Sequence, residues 1–143
     1  MEPPATGPVE CEVLTLPDDV HSEEIQIVDE IPAGEGGTLV DGDYELVEHV
    51  RYLSEPNEDR PTLMRAALRL RNRARVVDYR VDERDPEERE NPKGFTAHVV
   101  IDGNDIQLEM ICPAMESGSI GYTATKDRLS LFEGNEEMRF ARR

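Results

Sequence analysis

The chain has 143 residues, 37% hydrophobic and 34% charged, and 32 acidic against 16 basic residues give it a formal charge of −16. That size allows one core burying about two thirds of the unfolded surface, without metal or disulfide staples. A field of this sign repels phosphate backbones and anionic lipid, so nucleic acid and anionic membranes are poor partners. No apolar run approaches the roughly 20 residues that span a bilayer, and no transmembrane segment is expected.

Met1 to Pro8 lacks the basic and apolar regions of an export signal. Pro3, Pro4, Gly7 and Pro8 read instead like a tether that follows a cleavage or lipidation site. Residues 1–36, with five prolines and many acids, are expected to form an acidic lead, and residues 37–143 the folded domain. Within the lead, Ile25, Ile27, Asp29 and Ile31 alternate as a strand would, so an added edge strand or a short helix is expected over 23–31.

From Leu39 onward apolar residues recur with period two. Tyr44, Leu46, Val50 and Tyr52 share one face, opposite Glu45, His49 and Arg51, and Glu48 interrupts the inward stripe. Met64, Ala66, Leu68 and Leu70 alternate with Arg65, Ala67, Arg69 and Arg71, pass a turn at Asn72-Arg73, and lead to Val77, Tyr79 and Val81. A helix over Leu63 to Arg75 competes, since Ala, Leu, Met and Arg favour helices, but the alternation favours a strand. After an acidic loop, Phe95, Ala97, Val99 and Ile101 enter Asp102-Gly103-Asn104, and Ile106, Leu108, Met110 and Cys112 leave it. This is the strongest hairpin signal in the chain. Ile120, Tyr122 and Ala124, then Leu129 and Leu131, then Met138, Phe140 and Arg142 mark three further strands. The expected fold is all-β, an antiparallel up-and-down meander of about eight strands closed into a lipocalin-like barrel, with a β-sandwich as the alternative.

Gly36-Gly37-Thr38-Leu39-Val40-Asp41-Gly42-Asp43-Tyr44-Glu45-Leu46, with Cys112-Pro113, Tyr122-Thr123-Ala124-Thr125, Leu129-Ser130-Leu131-Phe132 and a final aromatic-x-Arg, resembles small lipocalin-like lipoproteins of Gram-negative bacteria. In the wider lipocalin-like group a Gly-x-Trp opens the first strand, and an Arg of the last strand packs over that ring at the closed end. Gly42-Asp43-Tyr44 stands in the first place here and Arg142 in the second, with Tyr in place of Trp. The resemblance implies a barrel that holds a small apolar ligand, and an export route ending in a lipid anchor.

Catalytic signals are weak. His21, His49 and His98 have no partner at a ligand spacing and are expected on the surface. Ser119, Ser130 and Thr123 lack a nucleophile elbow. The carboxylates of Asp82, Glu83, Asp85, Glu87, Glu88 and Glu90 fit a solvated loop better than a calcium loop, because Arg84 and Arg89 interleave them. Cys11 and Cys112 are either a disulfide or two inert thiols. No enzymatic activity, cofactor or metal is expected. The expected ligand-binding residues are Glu48, Tyr44, Tyr52, Leu68, Tyr79, Val99, Leu108 and Met110, with Glu48 orienting the guest. The rival expectation is a filled core and an acidic surface presented to a basic protein partner, as an inhibitor or assembly factor would. A monomer in the cell envelope, periplasmic or lipid-anchored, is expected. The cytoplasm of a salt-adapted organism is the alternative, since Lys93 and Lys126 are the only lysines and Arg carries the rest of the positive charge.

Overall fold

A computed structural model describes residues 14, 16, 22–55, 63–84, 92–112 and 116–142. The described residues form nine strands and no helix: β1 (Ser22–Val28), β2 (Gly42–Leu53), β3 (Leu63–Arg71), β4 (Val76–Arg84), β5 (Pro92–Asp102), β6 (Asp105–Cys112), β7 (Ser117–Ala124), β8 (Arg128–Glu133) and β9 (Glu136–Arg142). No helix among them is long and apolar enough to cross a membrane. Each strand pairs with the next, and β9 returns to β2 from Tyr44↔Arg142 to Arg51↔Glu136. The eight strands β2 to β9 therefore close one antiparallel sheet into a barrel, which removes the sheet edges and rules out the sandwich.

The period-two residues of the sequence become the barrel interior. Tyr44, Leu46, Met64, Ala66, Leu68, Leu70, Val77, Ala97, Val99, Ile106, Tyr122, Leu129, Leu131 and Phe140 form one buried cluster. The stretch open to a helical reading is strand, paired with β4 from Leu63↔Arg84 to Arg71↔Val76. Gly103 turns the β5–β6 hairpin at φ +63°, where a side chain is disfavoured. The β3–β4 turn is wider than a two-residue turn and puts Asn72, Arg73 and Ala74 at φ between 57° and 60°. Positive φ is uncommon for Arg and Ala. The Asp41 carboxylate holds the turn, accepting hydrogen bonds from the Arg73 amide at 2.9 Å and the Ala74 amide at 2.5 Å.

β1 is a strand, as its alternation allows, but it does not sit at an edge. β2 and β3 pair only from Gly42↔Leu70 to Glu45↔Ala67 and then diverge. β1 enters the gap, parallel to β2 from Glu24↔His49 to Val28↔Leu53 and antiparallel to β3 at Ser22↔Met64 and Glu23↔Leu63. The wall thus has nine strands at the end where β2 finishes and eight where it begins.

The eight-stranded end is closed by residues 34–41. Gly36 bridges Thr123, with its amide donating to the Tyr122 carbonyl and its carbonyl accepting from the Ala124 amide, both at 2.8 Å. Tyr122 donates its hydroxyl to the Gly37 carbonyl at 2.8 Å, and Tyr44 donates its own to the Val40 carbonyl at 2.5 Å. Leu39 packs on the core from this segment. Arg142, opposite Tyr44 in the register, lies so close to Gly42 that a Cβ there would stand 2.9 Å from the guanidinium Nε. Burial pushes the Tyr44 phenol pKa up despite the nearby Arg142 charge.

Candidate ligand cavity and the polar cluster beside it

The interior is not filled throughout. A cavity of about 210 Å³ lies among the inward residues of β3 to β9, and its apolar wall includes Leu68, Leu70, Val77, Phe95, Val99, Leu108, Met110, Leu131 and Met138. It exceeds the roughly 150 Å³ that admits benzene and falls short of the roughly 300 Å³ at which drug-sized pockets begin. Its remaining wall contains Glu116, Ser117, Gly118, Ser119 and Glu133, all exposed, so the mouth lies at the nine-stranded end, by the β8–β9 hairpin and the start of β7. Tyr79 and Phe95 stand together in the wall with ring centroids 5.2 Å apart, and Tyr79 directs its hydroxyl to Met138 Sδ at 3.4 Å.

Of the residues expected to contact a ligand, Leu68, Tyr79, Val99, Leu108 and Met110 line this cavity. Tyr44 is buried in the core near the closed end, outside the lining. Glu48 and Tyr52 stand elsewhere, and one irregularity explains both. The β2–β9 register shifts between Leu46 and Glu48, which leaves Val47 as an extra residue of a β-bulge. Up to Leu46 the even-numbered residues face inward; past the bulge the parity inverts. Glu48 is then opposite Arg139 on the outer side, and Arg139 Nη1 donates to Glu48 Oε2 at 2.6 Å. Tyr52 follows Glu48 outward and donates its hydroxyl to Glu137 Oε1 at 2.6 Å, while Arg139 Nε donates to Glu137 Oε2 at 2.8 Å. Glu48 thus stands on the outer face, outside the cavity lining.

The same inversion turns His49 inward, opposite Met138, and Arg51 inward, opposite Glu136. The parallel register of β1 adds Glu24 and Gln26 to this face. Arg51 Nη2 lies 3.1 Å from Glu136 Oε1, Arg51 Nε lies 3.4 Å from Glu24 Oε1, and Gln26 Nε2 donates to Glu24 Oε1 at 3.1 Å. His49, expected on the surface, is fully buried, and neither ring nitrogen closes a hydrogen bond. Its Nε2 is 3.5 Å from Glu136 Oε1, at the long limit of a hydrogen bond. Period two hid this cluster. Its one trace in the sequence is Glu48 itself, a charge in an apolar stripe, which marks where the alternation slips.

The two carboxylates on β9 respond differently in cause and alike in direction. His49, joined by Arg51, holds the Glu136 carboxyl below its ordinary range. Burial pulls the Glu137 carboxyl up, but Arg139 and the Tyr52 hydroxyl outweigh it, and the net displacement is again downward. Both folded-state values lie below the unfolded value of 4.5. The stability they contribute is therefore complete above that value and is lost as pH falls through the folded values. Urea midpoints should drop as pH falls below about 4.5, and the drop should be shallower in Glu136→Gln and Glu137→Gln than in the parent. An unchanged slope in both variants contradicts this assignment.

Elsewhere the candidate chemistry is occupied or dispersed. His98 is exposed on β5, and His21 lies outside the described residues. Asp82 is buried and paired with Arg65 at 3.2 Å, Asp43 pairs with Arg69 at 2.6 Å, and Asp102 accepts from Gln107. The side chains of residues 83–90 lie outside the described ones, and no cluster of metal-ligating residues forms among those described. Cys112 is disulfide-bonded, and Cys11 lies outside the described residues. No family model, curated protein or solved structure matches the chain.

Proposed function

We propose that this protein is a non-enzymatic binding module of the cell envelope that takes a small apolar ligand into its barrel. The observation that carries the reading is the cavity of about 210 Å³ with an apolar wall and a polar mouth, the usual form of a small-molecule site. A barrel of eight or nine strands fills its interior when it serves only as a scaffold, and a void of this size forfeits packing contacts that a filled core would have. The disulfide-bonded Cys112 supports an oxidising compartment, where such bonds persist.

The test is titration with an environment-sensitive apolar dye, followed by displacement with small apolar compounds. Saturable one-to-one binding is expected, and Leu108→Trp, which places a bulky ring in the cavity wall, should weaken it at least about tenfold while the protein stays folded. Absence of binding by the folded parent would favour the alternative in which the acidic surface is presented to a basic protein.

A further inference from the structure

The cavity's charge narrows the ligand class. Its wall is apolar throughout its depth, and the charged side chains in its lining are two carboxylates, Glu116 and Glu133. No lysine, arginine or histidine among the described residues lines it. Neither carboxylate is held by an ion pair or side-chain hydrogen bond with a described residue, whereas the nearby Glu136 is paired with Arg51. Glu133 and Glu136 are direct cross-strand partners in the β8–β9 hairpin. Like charges so placed repel, and compensation of one by Arg51 leaves the other unmatched at the mouth. The hydroxyls of Ser117 and Ser119 supply further acceptors there.

Two features favour the same sign of ligand. The unmatched carboxylates attract a cation and repel an acid. The field of a chain of formal charge −16 is focused by a cleft with low-dielectric walls, which raises the local concentration of cations at the mouth. We infer that the ligand is a small organic cation, an amine whose apolar body of about eight to ten carbons fills the cavity while its ammonium group sits at the mouth whose lining carries the Glu116 and Glu133 carboxylates. The volume sets the body's size, since a void of about 150 Å³ admits one benzene ring. This inference rests on the binding reading above and specifies the ligand of that same cavity.

The experiment compares three probes of equal chain length, octylammonium, octanol and octanoate, by calorimetry and dye displacement on the full chain. Octylammonium should bind about tenfold tighter than octanol, the size expected of attraction to two carboxylates at the mouth, and octanoate weaker still. Raising the ionic strength should erode the preference. Glu116→Gln with Glu133→Gln should remove most of it and leave octanol affinity unchanged, whereas Asp127→Asn at the closed end, a loss of negative charge far from the mouth, should leave the preference intact. Binding of octanol equal to or tighter than that of octylammonium overturns the cation assignment and leaves the binding module standing. A preference that survives the double variant undiminished assigns the attraction to the general surface field alone and also overturns it. Failure of all three probes to bind the folded protein overturns both readings.

Discussion

Phe140→Ala is expected to lower stability by about 3–5 kcal/mol, read as a lower urea midpoint at an unchanged denaturant slope. The side chain is fully buried in β9, in register with Leu46 of β2 and Leu129 of β8. It therefore packs along the seam that closes the barrel. It lies outside the lining of the existing cavity, so truncation opens a second void in a rigid wall rather than enlarging a space that already exists. A sheet whose strands are fixed on both sides relaxes little, which puts the loss in the range for large aromatic deletions. Val100→Ala, on an exposed outer position of the next-to-central hairpin, should change stability by no more than about 0.5 kcal/mol. A Phe140→Ala loss as small as that of Val100→Ala would show that the seam does not hold the barrel together.

Most of the wall was legible because a barrel strand with one buried face imposes strict alternation, and the hairpins carry turn residues at their tips. Phe95 to Met110 illustrates it: alternation on both sides of Asp102-Gly103-Asn104 yields both the pairing and the inward set that lines the cavity. β1 was legible as a strand by its own alternation, but its place was not. Insertion between β2 and β3 depends on where those strands diverge, and local sequence does not record a divergence. The site was legible in part for the same reason. Leu68, Tyr79, Val99, Leu108 and Met110 lie on strands of regular parity near the cavity, whereas Glu48, His49 and Tyr52 lie beyond the bulge at Val47, where a single extra residue exchanges inside for outside. Glu116 and Glu133 were not legible as mouth residues at all. Nothing distinguishes them from other acids of this chain except their position at the rim, which is a property of barrel closure.

Period two also assigns parity without assigning exposure, and Asp78 carries the consequence. It faces outward from β4, yet it is fully buried, as are Val76, Asp82 and Thr96 on the same outer side. Arg71 grips its carboxylate with Nε at 2.8 Å and Nη2 at 3.3 Å, and Thr96 donates its hydroxyl at 2.7 Å. Thr96 is in turn the register partner of the disulfide-bonded Cys112, so this patch is continuous with the bridge. Asp78→Ala should cost about 3 kcal/mol, because it removes the buried carboxylate that the Arg71 guanidinium and the Thr96 hydroxyl both bind. The value sits at the low end for a broken buried pair because Arg71 keeps some contact with solvent. Replacing both partners, Asp78→Leu with Arg71→Met, should cost markedly less than Asp78→Ala alone, since the desolvation of two charges then disappears together with their attraction. Chemical denaturation of the two single variants and the double closes a thermodynamic cycle. A double variant that loses as much as the sum of the singles would mean that the two residues act separately, and the outer face would then owe its burial to apolar packing around Val76 rather than to this ion pair.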